Sequence, residues 1–377
     1  MELIGKLETF LDFATEIDDH RIERKKLYSV CEILFLVLAA VVCGSEGWND
    51  IERFGKAKLS FLRRHLPFKN GTPSDDTLRR FFRFLDPAKF QQFFMDWVRT
   101  LEVPADTHVA IDGKVSRHTF DGDGNPLHMD SAFASEYRLV LGQEKVADKS
   151  NEITAIPLLL DCIDLEGAVV TIDAMGCQRD IAQKIGEAGA DYVLGLKGNQ
   201  GTLNEDVRLV FEDKDLLKEL EVQSFQTIDG DHGRIETRTY RTLICPEILK
   251  KQHDWPFLQS LVEVTSERSF KGKPDEKTSI EKRYYITSLA CDPQIIGKAI
   301  RAHWGIENTL HWILDISFRD DDSRIRKGNA PQNMAIVKHM ALNMLQKTKG
   351  KRESIKQRRK AAGWDEEVLQ SILFGHF

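Results

Sequence analysis

Three short segments carry the residues whose types and spacing could do chemistry. Ile111–Lys114 (IDGK) and Thr171–Gln178 (TIDAMGCQ) each run apolar or β-branched residues into an aspartate, which a small residue follows at once. The third segment, Arg301–Asp315 (RAHWGIENTLHWILD), places Glu307 within a helical pattern. Two strand-end aspartates and one helix-borne glutamate supply three hard oxygen ligands. A pair of Mg²⁺ ions needs such donors to act on a phosphodiester.

Asp112 and Asp173 stand in matched sequence settings. Gly113 and Ala174 follow them, and a small residue there lets the chain turn away and leaves room beside the carboxylate. A single aspartate at the end of a strand is usually a turn residue or a helix cap. Two of them in matched settings favour a shared site.

Glu307 shares one face of its predicted helix with His303 and His311, four residues before and after it. Zinc is an alternative for this face, because imidazole nitrogens are zinc ligands. The usual helical zinc pair, however, has its histidines four residues apart. A separation of eight residues spans about 12 Å along the helix axis, which disfavours one ion shared by both histidines.

Several cationic and polar residues are candidates for contacts with DNA phosphates. Lys197 and Asn199 directly follow a predicted strand and would lie at the same sheet edge as the aspartates. The tail Lys338–Lys360 carries nine Lys or Arg residues and one Glu, so it predicts binding without sequence preference, with a solvated helix end as the alternative. The remaining candidates are Lys114, His232, Arg234, Arg301, His303, His311, Arg358, Arg359 and Lys360.

Composition excludes several classes of protein. The 377 residues are 41% hydrophobic and 30% charged with a net charge of -6, so a nucleic-acid partner would require locally clustered basic residues. Six scattered cysteines without a CxxC pair argue against a zinc ribbon or a disulfide framework and fit a reducing cytoplasm. The apolar run Ile33–Gly44 is too short to span a membrane and predicts a buried helix. No signal peptide and no Walker spacing is visible, so neither export nor ATP is expected.

The order of predicted elements limits the fold. Residues 1–103 read as a helical domain, in which Arg79, Arg80 and Arg83 form one basic helix face. Such a face predicts contact with DNA phosphates, with a solvated face of a helical bundle as the alternative. Residues 104–200 read β-β-β-α-β-α-β, 201–290 as a β-rich insertion, 291–345 as the helical return of the core, and 346–377 as a basic helical tail. This order predicts an α/β, ribonuclease H-like catalytic core, in which the first and fourth strands lie side by side.

The chain resembles the H-repeat-associated family of DDE transposases from bacterial insertion sequences, over nearly its whole length. The motifs that carry the resemblance are Ile111–Lys114, Asp148–Pro157, Thr171–Gln178, Leu196–Gly201, His232–Arg238 and His303–Asp315. The resemblance implies that Asp112, Asp173 and Glu307 form the catalytic triad and hold two Mg²⁺ or Mn²⁺ ions. It also implies double-stranded DNA partners, namely the terminal repeats and the target, and a homodimer on DNA.

The expected activity is cleavage at element ends and joining of 3′-hydroxyls to target DNA. The alternatives are a catalytically inactive or domesticated DNA-binding relic, and a hydrolytic ribonuclease H-like nuclease. Related transposases surround the glutamate with Tyr, Arg and Lys, whereas this chain has Ile300, His303 and Leu314 at those positions. We therefore expect His303 to matter for strand transfer more than for metal binding, because a histidine there can donate a hydrogen bond and, when protonated, supply a charge near the scissile group.

Overall fold

The structure is a computed structural model that describes residues 14–17, 19–101, 103–120, 124–147, 152–231, 234–270, 278–350 and 352–375. Its strands are β1 (His108–Ser116), β2 (Leu127–Ala134), β3 (Leu139–Lys145), β4 (Val169–Ile172), β5 (Asp191–Leu196), β6 (Gln223–Asp231), β7 (Arg234–Ile244), β8 (Ser260–Phe270) and β9 (Ser279–Thr287). The β-β-β-α-β-α-β order predicted for the core is confirmed.

The α-helices are α1 (Val30–Val42), α2 (Trp48–Ala57), α3 (Leu59–Leu62), α4 (Asp75–Phe84), α5 (Pro87–Arg99), α6 (Glu152–Cys162), α7 (Arg179–Glu187), α8 (Gly201–Glu212), α9 (Leu216–Glu219), α10 (Glu247–His253), α11 (Pro293–Gly305), α12 (Trp312–Phe318), α13 (Ala330–Thr348), α14 (Ile355–Trp364) and α15 (Glu366–Phe374). A π-helical segment, Ile306–His311, continues α11 directly into α12. In the described residues, no helix is both long and apolar enough to cross a membrane.

The chain divides into two compact units. The sheet unit comprises Pro104–Asp112 and Ser150–Ile306, and the helical unit comprises Met1–Val103, Gly113–Lys149 and Glu307–Phe377. These units divide the chain differently from the predicted domains, because the strands of segment 201–290 join the core sheet and segment 346–377 belongs to the helical unit. Strand β1 passes from the first unit to the second between its fifth and sixth residues.

The sheet unit is built on a mixed sheet with the strand order β1-β4-β5-β9-β8-β7-β6. Strands β1, β4 and β5 are parallel, and β9 joins β5 in the antiparallel sense. The β-rich segment therefore extends the edge of the sheet. Helix α11 packs against the sheet. Its buried Ile296, Ala299 and Ile300 belong to one apolar cluster with Val193 and Tyr240.

The helical unit is organised around α1, whose apolar residues are all buried as the sequence predicts. Ser29 and Glu32 form a capping box at its start, and the Glu32 carboxylate also accepts the Phe68 N–H at 2.6 Å. Helix α13 attaches to β3 through Asn343, whose side-chain amide makes both hydrogen bonds of a strand partner to Val140, each 2.8 Å long. These polar contacts fix the register of an otherwise apolar core.

The C-terminal segment is not a solvated basic tail. Arg359 is buried, donates hydrogen bonds to the carbonyl oxygens of Val41 and Ser317, and stacks over the Phe318 ring. Burial lowers the pKa of the Arg359 guanidinium to about 10. The prediction that Arg359 contacts DNA is therefore wrong, because its donors hold α14 against α1 and α12.

Two further cations of the predicted tail also bind groups of the protein itself. Arg358 donates to the Ser371 hydroxyl at 3.1 Å and lies 3.7 Å from the Glu353 carboxylate. Lys338 is buried in an ion pair with Asp320, 2.5 Å long. Lys360 is exposed, so its contact with DNA stays a prediction.

His339 in the core of the helical unit should make this protein sensitive to mild acid. Burial lowers the pKa of His339 from 6.5 to about 4, so the unfolded chain binds a proton that the folded chain does not between those values. The free energy of unfolding that depends on a neutral His339 is fully present above pH 6.5 and is lost as the pH falls toward 4. Between pH 7 and 5 the loss should be about 2 kcal/mol.

Urea denaturation of the wild type and of His339→Leu at both pH values measures this effect. We expect the wild type to lose about 2 kcal/mol more than the variant, since the variant lacks the titrating imidazole. The neighbouring Asp320 does not contribute in this range. Although its burial raises its pKa, Lys338 and Ser116 outweigh that effect and hold the pKa below its ordinary value of 3.8. Equal losses in the two proteins would contradict the assignment to His339.

Candidate active site

Asp112 and Asp173 follow residues that are direct partners in the sheet. Strands β1 and β4 run parallel, and Ile111 pairs with Ile172. A half-buried aspartate therefore lies one residue beyond the last pair of the two strands on each side. Asp173 follows the end of β4 as predicted, whereas β1 continues past Asp112 to Ser116, so the prediction that Asp112 ends its strand is wrong. The predicted adjacency of the first and fourth strands is confirmed.

The Asp173 carboxylate is oriented by the turn that it begins. Its Oδ1 accepts the Met175 N–H at 2.8 Å, an Asx-type contact that fixes the side chain over the turn. Within the described part of the chain, no donor contacts its other oxygen, Oδ2. One oxygen thus sets the orientation and the second is available to a ligand.

Two glycines permit the close packing behind this turn. A Cβ on Gly195 of β5 would lie 3.2 Å from the Ala174 amide nitrogen and 3.4 Å from the Asp173 carbonyl carbon. A Cβ on Gly176 would collide with the Ile172 side chain and approach that of Ile156 to 2.9 Å. Sequence reasoning missed both roles, since neither follows from local pattern alone.

The segment after β5 supports the same turn. The Asn199 amide donates to the Ala174 carbonyl at 2.6 Å, and the Gln200 amide donates to the Cys177 carbonyl at 2.9 Å. Asn199, predicted to bind DNA, therefore uses an amide donor to position the Asp173 turn. Lys197 is exposed at the carboxyl end of β5, and its contact with a phosphate stays a prediction.

His303 is fixed to β4 two residues before Asp173. Its Nδ1 lies 3.0 Å from the Thr171 hydroxyl, which lies 3.0 Å from Nε2 of the buried His108 on β1. Burial lowers the pKa of His303, although Asp173 and Thr171 partly oppose this effect. This shift favours the neutral imidazole, and the role of His303 in strand transfer stays a prediction.

Glu307 is the second residue of the π-helical segment and is exposed. Single π-helical turns within α-helices occur frequently at functional sites, because they redirect side chains relative to a regular helix. Nothing in the apolar periodicity around Glu307 predicted this change of helix type. On the α11 side of the segment, His303 contacts Thr171 in the sheet unit.

On the α12 side of the π-helical segment, a salt bridge connects that helix to β1. The Lys114 ammonium lies 2.7 Å from Asp315 and 3.5 Å from Asp321, and the lysine side chain is 11% exposed. Lys114 is two residues beyond Asp112 on the same strand, so both side chains belong to one face of β1. The Lys114 charge is thus paired inside the helical unit, and its contact with DNA stays a prediction.

The other predicted DNA contacts lie at separate places in the two units. Arg301 is exposed on α11, and Arg234 is exposed on β7 with its guanidinium 5.3 Å from the centre of the Phe270 ring. His311 is half-buried at the end of the π-helical segment. His232 lies outside the described residues. These four assignments stay predictions.

Residues 104–344 match the family model described as “Transposase DDE domain”, and residues 11–98 match that described as “DDE_Tnp_1-associated”. The chain belongs to the DDE transposase family. It is 39% identical over 377 residues to “H repeat-associated putative transposase YhhI” of Escherichia coli strain K12, covering 98% of this chain and 99% of that protein. It is 40% identical over 376 residues to “Putative transposase YncI” of Escherichia coli O157:H7, covering 97% and 95%.

A comparison of structures gives a weaker likeness. A solved chain of “piggyBac transposase synaptic complex with hairpin DNA” is 13% identical, with a TM-score of 0.47 and coverage of 99% of this chain and 81% of that one. The family assignment rests on the sequence matches alone. These matches confirm the resemblance to the H-repeat-associated family. They identify the protein as a metal-dependent transposase.

Gly195→Ala in this transposase should disturb the Asp173 turn. The added Cβ would press on backbone atoms that cannot rotate away, so we expect a loss of about 1–3 kcal/mol in the free energy of unfolding. We also expect metal-dependent activity to require more Mg²⁺. Gly201→Ala is the matched control, because its Cβ would meet nothing within 4 Å. Equal Mg²⁺ titrations and melting curves for the two variants would contradict close packing behind Asp173.

Proposed function

We propose that this transposase cleaves DNA at the ends of an insertion sequence and joins the 3′-hydroxyls to target DNA, with Asp112, Asp173 and Glu307 as its catalytic acids. The single observation that carries the proposal is the parallel pairing of β1 with β4, which ends at Ile111 and Ile172 and is followed on each strand by a half-buried aspartate. Carboxylate oxygens from separate segments are the donor set that two divalent ions require.

The contacts on both sides of Glu307 support its place in the triad. Before it, the His303–Thr171 contact holds the end of α11 beside the aspartate end of β4. After it, the Asp315–Lys114 salt bridge holds α12 beside the strand that carries Asp112. Each of these two contacts lies within one unit, and both support the proposal that Glu307 is the third acid.

The three carboxylates are donors of the kind that Mg²⁺ or Mn²⁺ prefers, and we propose that two such ions bind. When bound, such ions supply Lewis acidity to the attacking and leaving oxygens of a phosphodiester. The protein contributes the three carboxylates that hold the ions, with Asp173 oriented by the Met175 N–H. Lys197, exposed beyond β5, would orient a non-bridging phosphate oxygen through its ammonium. The side chains thus bind and orient, and none needs to form a covalent intermediate.

The proposed fold is a ribonuclease H-like core whose sheet the β-rich segment extends, preceded by an N-terminal helical region. The proposed partners are terminal-repeat DNA and target DNA, bound by a homodimer in the cytoplasm. This proposal includes association with the nucleoid when DNA is bound and no role for ATP. An inactive relic would share the family match but would fail to join DNA strands in a transfer assay with Mg²⁺ and flanking element ends.

Asp112→Asn should abolish Mg²⁺-dependent cleavage of duplexes that carry an element end. The loss of one anionic ligand removes metal affinity, whereas the loss of a negative charge near phosphate leaves DNA binding equal or slightly stronger. Cleavage is measured on labelled duplexes and binding by fluorescence anisotropy in EDTA. Asp161→Asn is the control. The Asp161 side chain is 61% exposed, and its substitution removes the same charge from the sheet unit. Cleavage at the wild-type rate by Asp112→Asn would exclude Asp112 as a ligand.

A further inference from the structure

A loop with four basic residues links α12 to α13 in the helical unit and contacts the chain just after β1 and at the end of α4. The loop, residues 319–328 (RDDDSRIRKG), follows α12 directly. At one end, Arg326 donates from Nε to the His118 carbonyl at 2.8 Å, with its guanidinium 5.4 Å from the centre of the Phe120 ring. At the other end, the Asn329 N–H donates to the Arg83 carbonyl at 3.1 Å. The loop therefore has a fixed path between two elements.

Gly328 makes this path possible. Its φ is +58°, and an added Cβ would lie 2.7 Å from both the Arg83 carbonyl oxygen and Cγ. Only glycine fits a left-handed residue that lies so close to a neighbouring backbone. Gly328 and Asn329, which directly follow Lys327, therefore lie against Arg83, whose guanidinium carbon is 5.1 Å from the centre of the Phe84 ring.

The cations of this loop differ from most basic residues near them. Arg79 and Arg80 of α4 are neutralised by Asp75 and Asp76 at 2.6–3.0 Å, so the predicted basic face of that helix is largely self-paired. In contrast, four exposed cations have no acidic partner among the residues that the structure describes. They are Arg83, Arg324, Arg326 and Lys327.

The acidic residues of the loop are paired with residues other than these four cations. Asp320 is buried with Lys338 and Ser116. Asp321 is shared between Lys114 at 3.5 Å and Arg117 at 3.3 Å, and Asp322 pairs with Arg319 at 2.9 Å. The exposed part of the loop therefore keeps a local excess of positive charge, although the whole chain carries a net charge of -6.

We propose that Arg83, Arg324, Arg326 and Lys327 form a docking surface for the phosphate backbone of double-stranded DNA, bound without sequence preference. This inference rests on the proposed function and adds to it the surface that receives target DNA. Exposed cations on a fixed loop are suited to phosphates, since contact releases counterions without ordering the protein further. The neighbouring amide that could read base edges, Asn329, is already bound to the Leu85 carbonyl at 3.1 Å.

The test is DNA binding by the double variant Arg324→Ala/Lys327→Ala. Both residues are exposed, so the variant should fold with an unchanged melting temperature. Fluorescence anisotropy is measured in EDTA on two 30-base-pair duplexes, one of unrelated sequence and one with an element end, between 50 and 200 mM salt. We expect affinity for both duplexes to fall about ten-fold, with the salt slope flatter by about two units.

Lys214→Ala/Lys251→Ala is the matched control, since it removes the same charge from exposed positions of the sheet unit and should stay within two-fold of the wild type. A loop variant with wild-type affinity and slope would overturn the proposal, as would a loss confined to the element-end duplex. Failure here is separable from failure of the proposed catalytic acids. Asp112→Asn tests cleavage without removing these cations, and the loop variant should still cleave at saturating DNA.

Discussion

The parallel pairing of β1 with β4 is the interaction on which the candidate site depends. The pairing of Ile111 with Ile172 brings the next residue of each strand to the same edge, and both of those residues are aspartates. Without this pairing, the two carboxylates would belong to unrelated loops. The supporting contacts all act on this edge: β5 packs against the Asp173 turn through Gly195, and Asn199 and Gln200 bind the carbonyls of that turn.

Much of this edge could be predicted because its signals are local in sequence. A β-branched run that leads into an aspartate and a small residue indicates a strand, so IDGK and TIDAMGCQ identify both carboxylates. The β-β-β-α-β-α-β order then predicts that their strands are neighbours. The contacts between distant segments could not be predicted. Nothing around Asn199 indicates that its amide meets Ala174, and nothing around Lys114 indicates that Asp315 and Asp321 neutralise it.

Charge was the weakest sequence signal for the same reason. A run such as Lys338–Lys360 looks cationic as a string, but the structure buries Lys338 and Arg359 and gives each an acceptor. An arginine can bind a phosphate only if acceptors of the protein do not already occupy its guanidinium donors. Such an acceptor is often distant in sequence. Arg359 bonds to Val41, more than 300 residues away in sequence. Conversely, the segment RDDDSRIRKG contains three aspartates but leaves Arg324 and Arg326 exposed without an acidic partner among the described residues. Its aspartates pair with Lys338, Arg117 and Arg319 instead.

The π-helical segment between α11 and α12 has a consequence for how this part of the chain can change. A π-turn holds more residues than an α-turn, so deleting one residue from Ile306–His311 would let the segment close as regular α-helix. Because the wider π-turn already absorbs the additional residue, the side chains of α11 and α12 would keep nearly the same phase around the helix axis. His303 would keep its hydroxyl partner and Asp315 its lysine. The side chains that would change direction are those inside the segment, Glu307 among them, so a change of length would alter the placement of the glutamate while both flanking contacts remain.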